Sequence, residues 1–218
     1  MLRKKLLSPR WLAVTAVLLF YWLAMSSLVD DSPTMDEQNH IGRGLAFVRT
    51  GDPRLSLEHP PLINSLSALP LLTMPEISIP FDHPSWQEMQ PPDVYWYVFS
   101  NLLLWEYGND AGKMVFLARL PIVWLTLALG LVGYTWARQL GGRRAALPAL
   151  VLLLFEPNML AHGRYTTTDL GGTLFVFLAA FLLWRLWHGE WRIENGKWII
   201  LNTQFSIVNW LLVAIGMG

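Results

Sequence analysis

Five apolar stretches constrain this chain more than anything else in it. Residues 11–28, 120–137, 145–160 and 170–186 are almost free of charge. Each is close to the ~20 residues a helix needs to cross a bilayer. A fifth stretch, 198–218, is broken up by Asn202, Thr203, Gln204, Ser206 and Asn209 and is polar for a span. Composition agrees with a membrane protein: 53% of residues are hydrophobic and only 15% charged, and twelve Trp suit anchoring at lipid–water boundaries. A formal net charge of zero supplies no basic field for nucleic acid. The absence of Cys excludes a disulfide framework, a thiolate zinc site and a thiol nucleophile. The Met-Leu-Arg-Lys-Lys start resembles a signal peptide. The apolar run after it is long enough to span, however, and no small-x-small cleavage site precedes Asp30, so it reads as a retained first helix.

Basic residues assign an orientation. Arg3, Lys4, Lys5 and Arg10 precede the first span, Arg138, Arg143 and Arg144 lie between the second and third, and Arg185, Arg192 and Lys197 follow the fourth. If the four spans alternate, all three clusters share one side, which the positive-inside rule makes cytoplasmic. The long segment 30–118 and the turn 161–169 then share the outer face. The organisation expected is a cytoplasmic start and first span over 1–29, an outer loop over 30–118, spans two to four over 119–187, and a cytoplasmic loop with a partial fifth span over 188–218. The expectation is a multi-pass protein of a plasma or inner membrane, its N-terminus cytoplasmic. The fold class expected is an all-α polytopic membrane protein with amphipathic juxtamembrane helices in the first outer loop.

That loop carries helix signals. Thr34-x-x-Glu37 is a capping box, Ile41, Leu45 and Val48 recur at helical spacing, and Gly51 can end the helix. A helix of this kind beside a span is expected along the membrane surface. Pro61 can open a second helix with Leu62, Leu66 and Leu69 as its apolar stripe, and residues 95–105 suit a third. Residues 75–92 are Pro-rich and read as irregular loop. Pro121 suits the first turn of the second span.

Three polar clusters could carry chemistry. Asp36 and Glu37 follow the first span. They serve either as helix caps or as a general base and its support, and a carboxylate can do both. Asp36 is the less committed to capping. Glu58-His59-Pro60-Pro61 is either a stiff helix entry or a means of fixing His59 toward a site shared with Asp36. The segment from Glu156 through His162 and Arg164 to Asp169 ends one span and opens the next. Glu156 is an ionisable group at the end of an apolar run, where such groups are costly. Asp169 either caps the fourth helix or faces the site. Arg164 either meets lipid headgroups or holds a lipid phosphate, which a guanidinium does by bidentate hydrogen bonding. The His and carboxylate residues of the outer face could together hold a divalent ion, although no tight ligand spacing marks one. No P-loop, Gly-x-Gly-x-x-Gly or Gly-x-Ser-x-Gly is present.

Together these pieces resemble the polytopic, lipid-carrier-dependent glycosyltransferases of the GT-C fold, the protein O-mannosyltransferases (family 39) in particular. The residues that carry the likeness are Met35-Asp36-Glu37-x-x-His40, Arg49-Thr50-Gly51-Asp52, Glu58-His59-Pro60-Pro61-Leu62, Ala118-Arg119-Leu120-Pro121, Arg143-Arg144, Glu156-Pro157-Asn158, Ala161-His162-Gly163-Arg164 and Thr168-Asp169. Their order and spacing match over residues 10–187, which specifies the superfamily and not a substrate. The resemblance implies a polyprenyl- or dolichyl-phosphate sugar donor and a protein, lipid or glycan acceptor. Asp36 would be the catalytic residue, Glu37 its support, and His59, His162, Arg164 and Asp169 substrate-binding residues. Some relatives bind a divalent metal ion near the loop carboxylates. Relatives are longer, and no basic residue follows Lys197 here. The expectation is therefore a truncated form of such an enzyme. The alternatives are a non-catalytic scaffold or degenerate paralogue on the same frame, and lastly a transporter, which would call for charges at mid-span.

Overall fold

The computed structural model describes residues 9–29, 31–188, 190–194 and 197–201. Its frame is three apolar helices: α1 (Pro9–Leu28), α6 (Ala111–Leu154) and α8 (Thr168–Trp187). α1 and α8 are 20 residues each, about 30 Å at 1.5 Å per residue, which matches the hydrocarbon thickness of a bilayer.

α6 has 44 residues and does not run straight. Gly142 has φ 68° and ψ −163°, a conformation open essentially to glycine alone, and the chain reverses there. Leu154 consequently packs 2.7 Å from where a Cβ of Gly130 would stand, and Leu153 3.1 Å from that of Gly133. On a straight helix, residues 130 and 154 would be about 36 Å apart. The two parts of α6 are an antiparallel pair and supply the second pass and the start of the third. The third pass continues through α7 (Pro157–His162), where Glu156 caps the helix by accepting from Met159 N at 3.0 Å. Four apolar helical segments result, two of them within α6. The second begins earlier than expected: Asp110 caps α6 by accepting from Lys113 N, and Pro121 lies inside the helix rather than in its first turn.

The passes pack through α1 against both parts of α6, with Phe20, Val123, Leu127, Leu150 and Leu154 buried between them. Arg10 lies beside Leu131, Tyr134 and Leu150 in one groove, and the rings of Trp136 and Trp184 are 6.1 Å apart. Arg10, Arg138, Arg143, Arg144 and Arg185 therefore gather at the end of the bundle away from the long loop. Arg3, Lys4 and Lys5 lie outside the described residues.

After α8 comes a hairpin in which β1 (Glu190–Glu194) pairs antiparallel with β2 (Lys197–Leu201), Glu194 opposite Lys197. The fifth apolar stretch thus opens as a strand, for which Trp198, Ile199 and Ile200 have the shape. Its remainder, 202–218, lies outside the described residues.

The outer loop is a packed cap of short helices. α2 (Met35–Thr50) has the full capping box at Thr34 and ends on Gly51 at φ 73°. It is followed by α3 (Pro61–Ala68), which tightens into a 3₁₀ turn over Leu69–Thr73, and by α4 (Pro84–Gln87). α5 (Tyr95–Asn101) widens into a π-turn over Leu102–Glu106. α2 is not laid bare on a membrane surface, as its pattern alone suggested. Every residue from Glu37 to Ala46 is buried beneath α3, α5 and the start of α6. Gly44 makes this possible, because a Cβ there would run into the backbone carbonyl of Asn64 on α3. Ile41, Leu45, Phe99, Leu103 and Met114 fill the centre, each contributing about 1.5–3 kcal/mol relative to exposure. On α3 it is Ile63 and Ala68 that face inward, while Leu62 and Leu69 stay exposed, an outward apolar edge suited to lipid. Arg54 fastens the loop after α2: it grips Asp52, donates to the carbonyl of Trp86 and lies over the Trp86 ring.

Candidate active site

Four polar segments meet where α2 begins. The node is Glu37. Arg119 on α6 donates to both of its oxygens, Nε to Oε1 and Nη2 to Oε2, each at 2.8 Å. The amides of Thr34 and Thr166 donate to the same carboxylate at 2.9 Å. Arg119 also donates to the carbonyls of Asp31 and Ser32, and its guanidinium faces the Tyr165 ring. Both side chains are wholly buried. Carrying two charges into the interior costs several kcal/mol per ion unless pairing and hydrogen bonds offset it, and here every available position is used. Glu37 therefore ties together the end of α1, the start of α2, α6 and the loop before α8. Its oxygens have no room left for a reacting group.

Asp36 is the opposite case. It is exposed, and among the described residues nothing donates a hydrogen bond to its carboxylate. It stands in the first turn of α2, where the positive helix end favours negative charge. His40 and Arg43 follow at i+4 and i+7, so the three share one face. His40 is buried and donates from Nδ1 to Asn64 Oδ1 at 3.0 Å. Asn64 donates in turn to Ser56 Oγ, and Ser56 to the carbonyl of His59. The His59 ring meets that of His40 edge-on at 5.6 Å. Burial, reinforced by the Arg43 charge, holds His40 below its ordinary value, against the pull of the Asn64 bond. His40 thus sits neutral with its proton on Nδ1. Burial also pushes the Arg43 guanidinium down, with Glu58 acting the other way.

The structure sets the His59 ring against that of His40, which follows Asp36 by one turn of α2. Arg164 is placed differently from a waiting phosphate clamp. Its Nε and Nη2 donate to Asp31 Oδ2 at 3.1 and 2.6 Å, and Nη1 donates to the carbonyl of Leu160. A phosphate there would have to displace Asp31. His162 is exposed beside Tyr165, and Asp169 is exposed in the first turn of α8, where Thr167 holds the cap position. Arg119 and Arg43 were missed as site residues. An arginine just inside an apolar run is a signal that a buried partner exists, and Arg119 carried that signal. Arg43 carried none, since only the packing of α5 onto α2 buries it.

Among the described residues no three His, Asp or Glu side chains converge to hold a metal ion. Glu37 is saturated by N–H donors and His40 Nδ1 by Asn64, so neither is open to a divalent ion.

A bundle of long apolar helices capped by packed short ones is the architecture of an all-α polytopic membrane protein. The family of dolichyl-phosphate-mannose-protein mannosyltransferases matches residues 54–206, and the chain belongs to it. It is accordingly a membrane mannosyltransferase with a lipid-linked sugar donor. The match includes His59, Arg119, His162, Arg164 and Asp169 and begins downstream of α2, so Asp36 and Glu37 lie outside it. The chain matches no curated protein and no solved structure.

Proposed function

We propose that this protein moves a mannosyl unit from a polyprenyl- or dolichyl-phosphate carrier to a hydroxyl of a protein acceptor, with Asp36 as the general base. The observation that carries the assignment is the contrast between neighbours: Glu37 is locked by four donors, whereas Asp36 is exposed and, among the described residues, receives no hydrogen bond, while its neighbour fixes its position. The acceptor hydroxyl gives its proton to the Asp36 carboxylate. Its oxygen forms the new bond to the anomeric carbon as the bond from that carbon to the phosphate oxygen breaks. The lipid phosphate leaves with the electron pair, and the configuration inverts. Glu37 acts as a positioning residue through Arg119. His59 and neutral His40 line the acceptor side, and His162, Arg164 and Asp169 border the site from the opposite loop. The loop face is the outer one and the basic end of the bundle cytoplasmic, in keeping with the gathering of arginines at that end.

Membranes carrying the protein are assayed for transfer of radiolabelled mannose from polyprenyl-phosphate mannose to a Thr-containing peptide. Wild type is expected to transfer, and Asp36→Asn to lose at least about a hundredfold, the low end for a general base. Near-normal transfer by Asp36→Asn removes it from the mechanism. No transfer by wild-type protein that is properly inserted overturns the activity itself.

A further inference from the structure

A cleft of about 310 Å³ opens beside α2, lined by Arg43, Leu55, Glu58, Asp93, Tyr95 and Trp96 among others. It has the size of the smallest ligand sites, enough for one side chain or ring. Arg43 is only 5% exposed, lies over the Trp96 ring at 4.7 Å, and its Nε–H has no partner. An unpaired buried donor costs free energy that an incoming acceptor atom recovers. At the rim stand two exposed carboxylates, Glu58 and Asp93, so the cleft carries one more negative charge than positive. That balance argues against a phosphate or an acidic side chain and for a neutral carbonyl arriving together with a cation.

Spacing connects the cleft to the reacting end. Arg43 is seven residues beyond Asp36 on one helix face, about 10 Å. An extended peptide covers that distance in about three residues at ~3.3 Å each. We propose that this cleft is an acceptor subsite, in which Arg43 Nε–H donates to a peptide carbonyl while Glu58 and Asp93 receive a Lys or Arg side chain about three residues from the hydroxyl being modified. The Tyr95 ring suits the same cation, the Trp96 ring being already covered by Arg43. The subsite deepens the acceptor reading above and rests on Asp36 being the reacting end.

The test uses membranes carrying the protein, polyprenyl-phosphate mannose, and peptides with one Thr in an alanine background. Lys, Ala or Glu is placed in turn at each position up to five residues on either side. Exposed ion pairs are worth a few-fold each, so kcat/KM should favour Lys over Glu by about tenfold, peaking two to four residues from the Thr. Asp93→Lys should invert that preference, and Asp93 is exposed, so the variant folds independently of the buried Arg43. Arg43→Lys should raise KM for all peptides, since Lys lacks the fixed Nε–H. Equal rates with Lys, Ala and Glu peptides, or a Lys preference that survives Asp93→Lys, overturn the subsite. Transfer unaffected by Asp36→Asn overturns instead the reading on which it rests.

Discussion

Replacing Arg119 by Met tests the node that holds the site together. Wild-type Arg119 donates to both oxygens of Glu37 at 2.8 Å, to the Asp31 carbonyl at 2.9 Å, to that of Ser32 at 3.2 Å and, at the limit of bonding, to that of Leu28 at 3.5 Å. Met fills a similar volume but leaves the Glu37 carboxylate buried with only two amide donors. Removing one partner of a buried pair costs about 3–5 kcal/mol, and the orphaned carbonyls keep the value from falling below that range. About 4 kcal/mol corresponds to a thousandfold shift in the folding equilibrium. Glu37→Gln should cost a comparable amount, because its amide would point N–H groups at the amide of Thr34 and the Nη2 of Arg119. Asp36→Asn, at an exposed carboxylate that no described residue bonds, should stay within about 0.5 kcal/mol. The assay is SDS-induced unfolding of the purified protein in mixed micelles, followed by tryptophan fluorescence. A loss of less than about 1 kcal/mol for Arg119→Met would refute the claim that this pair organises the cap. Equal losses for Asp36→Asn and Glu37→Gln would refute the division between a free base and a locked anchor.

Two further outcomes are expected. Burial holds His40 below its ordinary value of 6.5, so the folded state binds fewer protons than the unfolded one, and the stability this His contributes is present above pH 6.5 and lost as pH falls through it toward the lowered folded value; His40→Gln should flatten the change in unfolding midpoint between pH 7.5 and 5.5, and an unchanged slope would exclude His40 as its source. The chain has no Cys, so single substitutions report sidedness cleanly: Asp93→Cys should react with an impermeant maleimide in intact cells and Arg144→Cys only after permeabilisation, and the reverse pattern would invert the assigned orientation.

Much of the frame was legible because its causes are local or one-dimensional. Apolar length sets the number of passes, the distribution of Arg and Lys separates the two ends, and Thr34 with Glu37 marks a helix start whether or not anything packs on it. What escaped depends on partners distant in the chain. Periodicity alone put α2 on a surface, since it cannot register that Gly44 lets α3 close over the helix. Glu37 read equally as cap and as catalyst until Arg119, 82 residues away, and the amide of Thr166, 129 away, were brought to its oxygens. Sequence by itself determined that a carboxylate pair sits at a membrane boundary in a mannosyltransferase-like order. Only the tertiary structure decided which carboxylate is spent on holding the fold and which stays exposed, because saturation of a buried charge is a property of everything packed around it.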